Sequence, residues 1–272
     1  MKKMFFLLIG LLFFCFFTTT ADASYISLNT SVTSTLHKDN TLELIILTIN
    51  KGDETAYNVQ IETIAGEITN LSPSKKDLQI NEQYEFKSTF KLILKKPGTY
   101  PFGIRIYYTD ANQYLFSVLT YHLFSYQKEM VSLIYGNIPP ISIAKKGKLK
   151  FIVKNLSDNK ISLSNFLMLP RELSILQPSR NVTLKARSKE VIIFPVKSVS
   201  ALPGSTYQVF IVTETEDNNF HYTSISQGTI SIVKERAILG VSYPILITII
   251  IILVVIFVII QVSTGKRVES EY

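Results

Sequence analysis

Hydrophobic and polar residues alternate along most of this chain. Aromatic and aliphatic residues take every second position from Tyr100 to Tyr108, and the same alternation runs from Leu149 to Val153. A period of two residues, rich in β-branched and aromatic types, predicts half-buried β-strands. Gly, Pro, Asn and Asp interrupt the pattern about every eight to twelve residues, a spacing typical of a β-sandwich. The central part of the chain is therefore predicted to be all-β.

The two halves of this β region resemble each other. Residues Thr48–Asp53 align with Val153–Asp158, a shift of about 105 residues, and each segment has an Asn at its third position. A Pro-Gly turn precedes Tyr100 in the first half and Tyr207 in the second, and each Tyr is followed by an Asp ten residues later. These tyrosines also suggest the tyrosine corner of sandwich domains. The sequence therefore predicts two copies of one sandwich unit.

Both ends of the chain carry long apolar segments. Lys2 and Lys3 precede the apolar stretch 4–17, and a small-residue site ends at Ala23, which predicts a signal peptide cleaved after Ala23. Residues 243–262 contain no charge and, as a helix, would cover the hydrocarbon core of a bilayer. The signal peptide would start export, and the apolar segment 243–262 would stop it. We therefore expect most of the chain to lie outside the cell and the C-terminus to lie in the cytoplasm.

The predicted fold class is thus all-β, with two tandem immunoglobulin-like β-sandwiches followed by one transmembrane α-helix. The predicted organisation is a signal peptide (1–23), sandwich 1 (24–127), sandwich 2 (128–236), a juxtamembrane and transmembrane segment (237–264, with its core at 243–262) and a cytoplasmic tail (265–272). The only cysteine of the chain, Cys15, lies in the signal segment, so the exported part must fold without disulfides around an apolar core.

The segment around Ala56-Tyr57-Asn58-Val59, the Pro-Gly-x-Tyr turn and the turn at Tyr108-Thr109-Asp110 resemble the CARDB-type immunoglobulin-like modules of microbial surface proteins. The plan as a whole is similar to the membrane-anchored, S-layer-like ectodomain proteins of archaea and some bacteria. This resemblance covers roughly residues 25–235. It implies a sandwich used for adhesion, assembly or scaffolding, and no catalysis.

Residues suited to catalysis or metal binding are sparse in the sequence. The three histidines, His37, His122 and His221, are far apart and have no carboxylate at metal-ligand spacing. No Gly-x-Ser-x-Gly element or glycine-rich phosphate loop is present. One dense acidic cluster provides the candidate metal ligands: Glu214, Glu216 and Asp217, with Asn218 and Asn219 beside them. We therefore expect no enzyme activity and no cofactor.

The sequence contains candidate sites for attached sugars and for bound sugars. The sequence contains four Asn-x-Ser/Thr sequons, which are candidate glycosylation sites at Asn29, Asn70, Asn155 and Asn181. At Asn155 a structural role in the repeated turn competes with glycosylation. Tyrosines are plentiful and tryptophan is absent, so a sugar-binding platform would have to use tyrosines. The candidates are Tyr107, Tyr114, Tyr121, Tyr126 and Tyr222.

The chain is basic, with a net charge of +7. Its lysines are scattered singly or in pairs, and we interpret them as solvated faces and guards of edge strands. An extracytoplasmic location and the lack of a basic-aromatic pattern argue against a nucleic-acid partner. The expected partners are the bilayer through residues 243–262, a protein at the cell surface or in the membrane, and an envelope polysaccharide.

The predicted function is a non-catalytic structural, adhesive or scaffolding role at the cell membrane. The first alternative is an accessory subunit of a transport or protein-translocation complex, because the plan is similar to that of the beta subunit of the translocon-associated complex. The second alternative is a carbohydrate-binding module.

Overall fold

The computed structural model describes residues 25–217, 219–234, 237–238, 241–242, 245 and 247–256. The chain divides into two compact units between Glu129 and Met130, here called unit 1 and unit 2. The predicted signal segment, with its cleavage site at Ala23, lies outside the described residues, as does the predicted tail 265–272.

Unit 1 is built of antiparallel strands in two sheets. The strands are β1 (Leu28–Leu36), β2 (Thr41–Asn50), β3 (Ala56–Ala65), β4 (Ile68–Leu71), β5 (Lys75–Leu78), β6 (Gln83–Lys91), β7 (Gly98–Thr109) and β8 (Leu115–Tyr126). One sheet has the order β1-β2-β6. In the other, β7 lies between β8 and β3, and both β4 and β5 pair with β3.

Unit 2 also has two main sheets. Its strands are β9 (Ile134–Asn137), β10 (Ile141–Ile143), β11 (Lys146–Asn155), β12 (Ile161–Met168), β13 (Leu173–Ser174), β14 (Ser179–Leu184), β15 (Lys189–Ser198), β16 (Thr206–Asp217), β17 (Phe220–Ile232), β18 (Ala237–Ile238) and β19 (Val241–Ser242). One sheet has the order β13-β15-β11-β9. The other contains β14-β12-β16-β17, with β10 parallel to β17. The short strands β18 and β19 pair with each other.

The same strand order occurs in both units. The order β1-β2-β6 of unit 1 matches β9-β11-β15 of unit 2, and β8-β7-β3-β5 matches β17-β16-β12-β14. The pairing register agrees as well, because Ala56 faces Leu78 in unit 1 and Ile161 faces Leu184 in unit 2. The all-β expectation is confirmed, and the sequence repeat corresponds to a repeated arrangement of strands.

Unit 2 differs from unit 1 at its first strand. After β9 the chain passes Ile138 and two prolines and then joins the opposite sheet as β10. Proline lacks the N–H that a continued strand ladder would need, so the ladder ends there. The crossing is close: a Cβ on Gly228 would overlap the side chain of Ile138. Only glycine fits at this point of β17 without displacing Ile138.

A buried asparagine organises the repeated turn in each unit. Asn50 and Asn155 are both fully buried. The Nδ2 of Asn50 donates to the carbonyls of Glu54 and Leu78 at 2.7 and 3.1 Å, and its Oδ1 accepts from the Gly52 N–H at 3.0 Å. The Asn50 amide therefore stabilises the turn after β2 by hydrogen-bonding to three backbone groups. Burial of an amide is favourable only when such hydrogen bonds are made.

Asn155 makes the same set of bonds in unit 2. Its Nδ2 donates to the carbonyls of Asn159 and Lys185 at 2.7 and 3.0 Å, and its Oδ1 accepts from the Ser157 N–H at 2.9 Å. Ser157 stands where unit 1 has glycine, and its hydroxyl adds a bond of 2.7 Å to the same Oδ1. Unit 1 requires glycine at this position because a Cβ on Gly52 would lie 2.2 Å from the carbonyl oxygen of Tyr25.

Each unit packs its own apolar core from alternate strand positions. In β2 the residues 42, 44 and 46 are fully buried, whereas their neighbours on the strand are partly exposed. In β11 the residues 149, 151 and 153 are fully buried. Large side chains with almost no exposure fill both cores: Phe90 and Phe102 in unit 1, and Phe151 and Phe194 in unit 2. The period of two predicted from the sequence is therefore the alternation between core and solvent.

Two of the repeated motifs act as expected. The hydroxyl of Tyr100 donates to the Lys96 carbonyl at 2.7 Å, and that of Tyr207 accepts from the Leu202 N–H at 3.3 Å. Both bonds reach backbone a few residues upstream, as in a tyrosine corner. In the hairpin after β7, Asp110 Oδ1 accepts two backbone N–H bonds. The left-handed residue of this hairpin is Gln113, with φ of 65°.

His122 gives unit 1 a pH-dependent stability. Its ring stacks on Phe102 with a centroid distance of 5.3 Å, and burial lowers the pKa of His122 from its ordinary value of 6.5. Between that lowered pKa and 6.5 the unfolded chain binds more protons than the folded one, so stability falls as the pH falls through this window. We expect the urea midpoint to drop on acidification below about pH 6.5, and His122→Phe to flatten this part of the curve. A curve of unchanged slope in the variant would contradict this expectation.

Residues 247–256 form a helix of Ile, Leu and Val with one threonine. Its aliphatic side chains are all 44–60% exposed. Among the described residues, no helix combines the length and the apolarity that a membrane crossing requires. The predicted core 243–262 lies partly outside the described residues, since 243, 244, 246 and 257–262 are not among them.

Candidate functional site

A shallow open groove lies on the outer face of unit 2, where β12, β14, β16 and β17 run side by side. Its volume is about 620 Å³. The side chains that line it are mainly polar: Ser162, Ser164, Asn181, Thr183, Glu214, Glu216 and His221, here called the acidic groove. The strand register places them in rows, since Ser164 lies opposite both Asn181 and Glu214.

The acidic groove brings a histidine against two carboxylates. His221 lies opposite Glu216 in the β16–β17 register. Its Nε2 is 3.1 Å from Glu214 Oε1, and its Nδ1 is 4.0 Å from Glu216 Oε1. The spacing of residues in the sequence did not reveal these contacts of His221. His37 also contacts a carboxylate, since its Nε2 lies 2.9 Å from Glu43 Oε2.

The acidic cluster itself does not converge on one point. Glu214 and Glu216 lie on the groove side of β16, but Asp217 follows Glu216 directly and so points to the other face of the sheet. Of the predicted neighbours, Asn219 takes the left-handed conformation of the hairpin, with φ of 67°, and Asn218 lies outside the described residues. Within the described part of the chain, no group of three His, Cys, Asp or Glu side chains is placed to hold a metal ion.

The groove suits the binding of a polar ligand. It offers carboxylate acceptors, an amide and hydroxyls, including Ser162 and Thr183, whose oxygens are 3.1 Å apart. Both carboxylates remain in contact with water, because the side chains of Glu214 and Glu216 are 37% and 55% exposed.

The four sequons lie in different environments. Asn29 and Asn181 are exposed on strands. Asn70 is half-buried, and its Nδ2 donates to Ser88 Oγ and to the Thr89 carbonyl. Asn155 is fully buried, and its Nδ2, the atom that would carry the glycan, already makes two hydrogen bonds. Glycosylation of Asn155 is therefore incompatible with this fold.

The tyrosines proposed as a sugar platform do not form an exposed row. Of the five candidates, Tyr114 is 53% exposed at the β7–β8 hairpin. The others, at positions 107, 121, 126 and 222, are partly buried on their strands. The ring of Tyr121 fills the space above Gly103, where a Cβ would come within 2.6 Å of the ring. The ring of Tyr121 therefore packs against its own sheet.

Unit 1 contains a charged cluster that sequence reasoning missed. The Arg105 guanidinium donates to Glu62 Oε2 at 2.9 Å, and the Tyr107 hydroxyl donates to the same oxygen at 2.8 Å. The side chains of Arg105 and Glu62 are each only 18% exposed, and burial raises the pKa of Tyr107. Glu62 and Arg105 are opposite each other in the β3–β7 register, so only knowledge of the strand pairing could have revealed the cluster.

No protein-family model matches the chain, and no curated protein is similar to it in sequence. Solved structures to which the chain is similar include a mutant of Salmonella alpha-2-macroglobulin, with 9% identity and a TM-score of 0.33 over 76% of this chain and 16% of that one. A cohesin from Acetivibrio cellulolyticus, solved with a dockerin, has 12% identity and a TM-score of 0.28 over 36% of this chain and 99% of that one. The periplasmic chaperone SfaE has 9% identity and a TM-score of 0.27 over 36% of this chain and 56% of that one. The chain thus spans about a sixth of the length of the macroglobulin.

Proposed function

We propose that this chain is a single-pass membrane protein that holds two immunoglobulin-like sandwich domains on the extracytoplasmic side. Its role is structural, adhesive or scaffolding, without catalysis. The observation that carries the proposal is the helix at 247–256, whose aliphatic side chains are exposed on all sides. A helix that is apolar all round has no polar face for water, and a bilayer is the environment that suits it.

Three further observations support this proposal. The apolar sequence continues without a charge from residue 243 to residue 262. The N-terminal segment has the charged start, apolar stretch and small-residue site of an export signal. Units 1 and 2 share one strand order and contain tyrosines that bond upstream backbone, as immunoglobulin-like sandwiches do.

The placement can be tested by labelling single cysteines, starting from a Cys15→Ser chain that is otherwise free of cysteine. We expect a membrane-impermeant maleimide to label Ser74→Cys and Ser200→Cys in intact cells, because both serines are exposed on the two units. The matched variant Ser270→Cys should react only after lysis. Labelling of Ser270→Cys in intact cells, or protection of Ser74→Cys and Ser200→Cys, would rule out the proposed topology.

Crosslinking of the same cells distinguishes the proposed role from its first alternative. Recovery of this chain with itself, with a surface-layer protein or with an envelope polymer supports the structural or adhesive role. Recovery of one stoichiometric integral-membrane partner would instead identify an accessory subunit of a membrane complex and overturn the free-standing role.

A further inference from the structure

One sheet of unit 2 carries an unbalanced positive charge on its outer face. Among the described residues of β11 and β15, the outward positions include six lysines: Lys146, Lys148, Lys150, Lys154, Lys189 and Lys197, here called the lysine face. All six are exposed, and no carboxylate occupies an outward position on the described strands β9, β11 and β15. The formal charge of this face is therefore +6.

The arrangement of the lysine face works against the stability of the free protein. Lys154 lies directly opposite Lys189, and Lys146 lies directly opposite Lys197. Like charges at directly opposed positions of an antiparallel pair repel each other. Protection of a sheet edge does not explain Lys154, because β9 pairs with β11 from Ile152 to Asn155 and so covers the strand at this position.

The equivalent face of unit 1 shows that the fold does not require this charge. On β2 and β6 the outward charged residues are Glu43, Glu85, Lys87 and Lys91, so their charges cancel. Lys87 Nζ lies 3.7 Å from Glu85 Oε1, and Lys91 Nζ lies 2.8 Å from Asp39 Oδ2. Two units with one strand order thus differ in the charge of one face, which points to a ligand for unit 2 alone.

We propose that the lysine face binds a linear anionic polymer of the cell envelope that carries repeated carboxylate or phosphate groups. Alternate residues of a strand are about 7 Å apart, so the lysines of β11 form a line roughly 27 Å long from Lys146 to Lys154. A flexible ammonium group acts as a point charge for such anions. The line is flanked by Val191 and Ile193, which are 51% and 45% exposed and supply an apolar border beside it.

An extended polyanion fits this geometry better than a bilayer surface does. The charges follow one strand, and the pairs at its two ends would each share an anion that relieves their repulsion. Membrane-surface proteins enter the headgroup region with several protruding aromatic residues. The outward positions of β11 and β15 carry none, and the face has the exposed Tyr135 of β9 opposite Lys154, at one end of the line. This proposal rests on the function proposed above in one respect: a polymer of the cell envelope reaches the lysine face only if unit 2 lies outside the cell.

The test uses the full chain in a non-ionic detergent with polyglutamate and polyphosphate as probes and neutral dextran as the blank. We expect binding that weakens as salt is added, because screening shortens the reach of exposed charges. The triple variant Lys148→Gln, Lys150→Gln, Lys154→Gln should bind at least tenfold more weakly. The matched triple of unit 1, Lys76→Gln, Lys87→Gln, Lys91→Gln, removes the same charge and should stay within twofold of the wild type.

A charge reversal separates binding from a purely structural role. Lys154→Glu places opposite charges at the Lys154–Lys189 pair, so we expect the thermal midpoint to rise by about 1–3 °C while polyanion affinity falls at least tenfold. Equal losses in both triple variants would overturn the proposal. So would binding to phosphatidylglycerol vesicles that neither polyanion displaces. Because these measurements need no cells, their failure is distinguishable from a failure of the topology experiment.

Discussion

Asn155→Ala is expected to destabilise unit 2 by about 3 kcal/mol. The side chain is fully buried and satisfies two carbonyls and one N–H of the backbone. Alanine removes three part-buried hydrogen bonds, and each such bond contributes about 0.5–1.5 kcal/mol. Because native domains are stable by only about 5–15 kcal/mol, this loss would remove a large part of the stability of unit 2. Urea unfolding followed by tyrosine fluorescence measures the change.

The chain supplies two controls for this variant. Asn50→Ala removes the same bonds from unit 1, so we expect a loss of similar size there. Asn181→Ala changes an exposed asparagine of unit 2 and should alter stability by less than about 0.5 kcal/mol. If Asn155→Ala were as mild as Asn181→Ala, the buried amide would not organise the turn, and the structural basis of the repeat would be lost.

Local sequence pattern was sufficient to predict the strands and the repeat. Alternation specified which residues of β7 and β11 enter a core, since the pleat of a strand has a period of two. The aligned Asn50 and Asn155 marked the same turn in each half, and both proved to be buried hydrogen-bonding centres. The burial of Asn155 also shows that this residue stabilises the turn and is not a glycosylation site. The Asn-x-Ser/Thr pattern alone does not reveal whether an asparagine is buried.

Contacts between strands distant in sequence could not be predicted in the same way. His221 contacts Glu214, and Arg105 contacts Glu62, because of the order and the register of the strands that carry them. The same register turns scattered lysines of β11 and β15 into one charged face. A sequence read one segment at a time shows these residues as isolated charges, because pairing register is a property of two strands.

The second large effect is expected for Phe151→Ala, which should destabilise unit 2 by about 3–5 kcal/mol. Phe151 is fully buried in the core of unit 2. Its removal combines the loss of buried apolar surface with a cavity that close-packed neighbours refill only in part.

The adjacent residue is the matched control: Ile152 lies on the opposite face of β11, among the lysines, and is only partly buried. Ile152→Ala should therefore cost less than about 1 kcal/mol. Equal losses at the two positions would mean that the pleat of β11 does not separate a core side from a ligand side, and the lysine face would lose its structural basis.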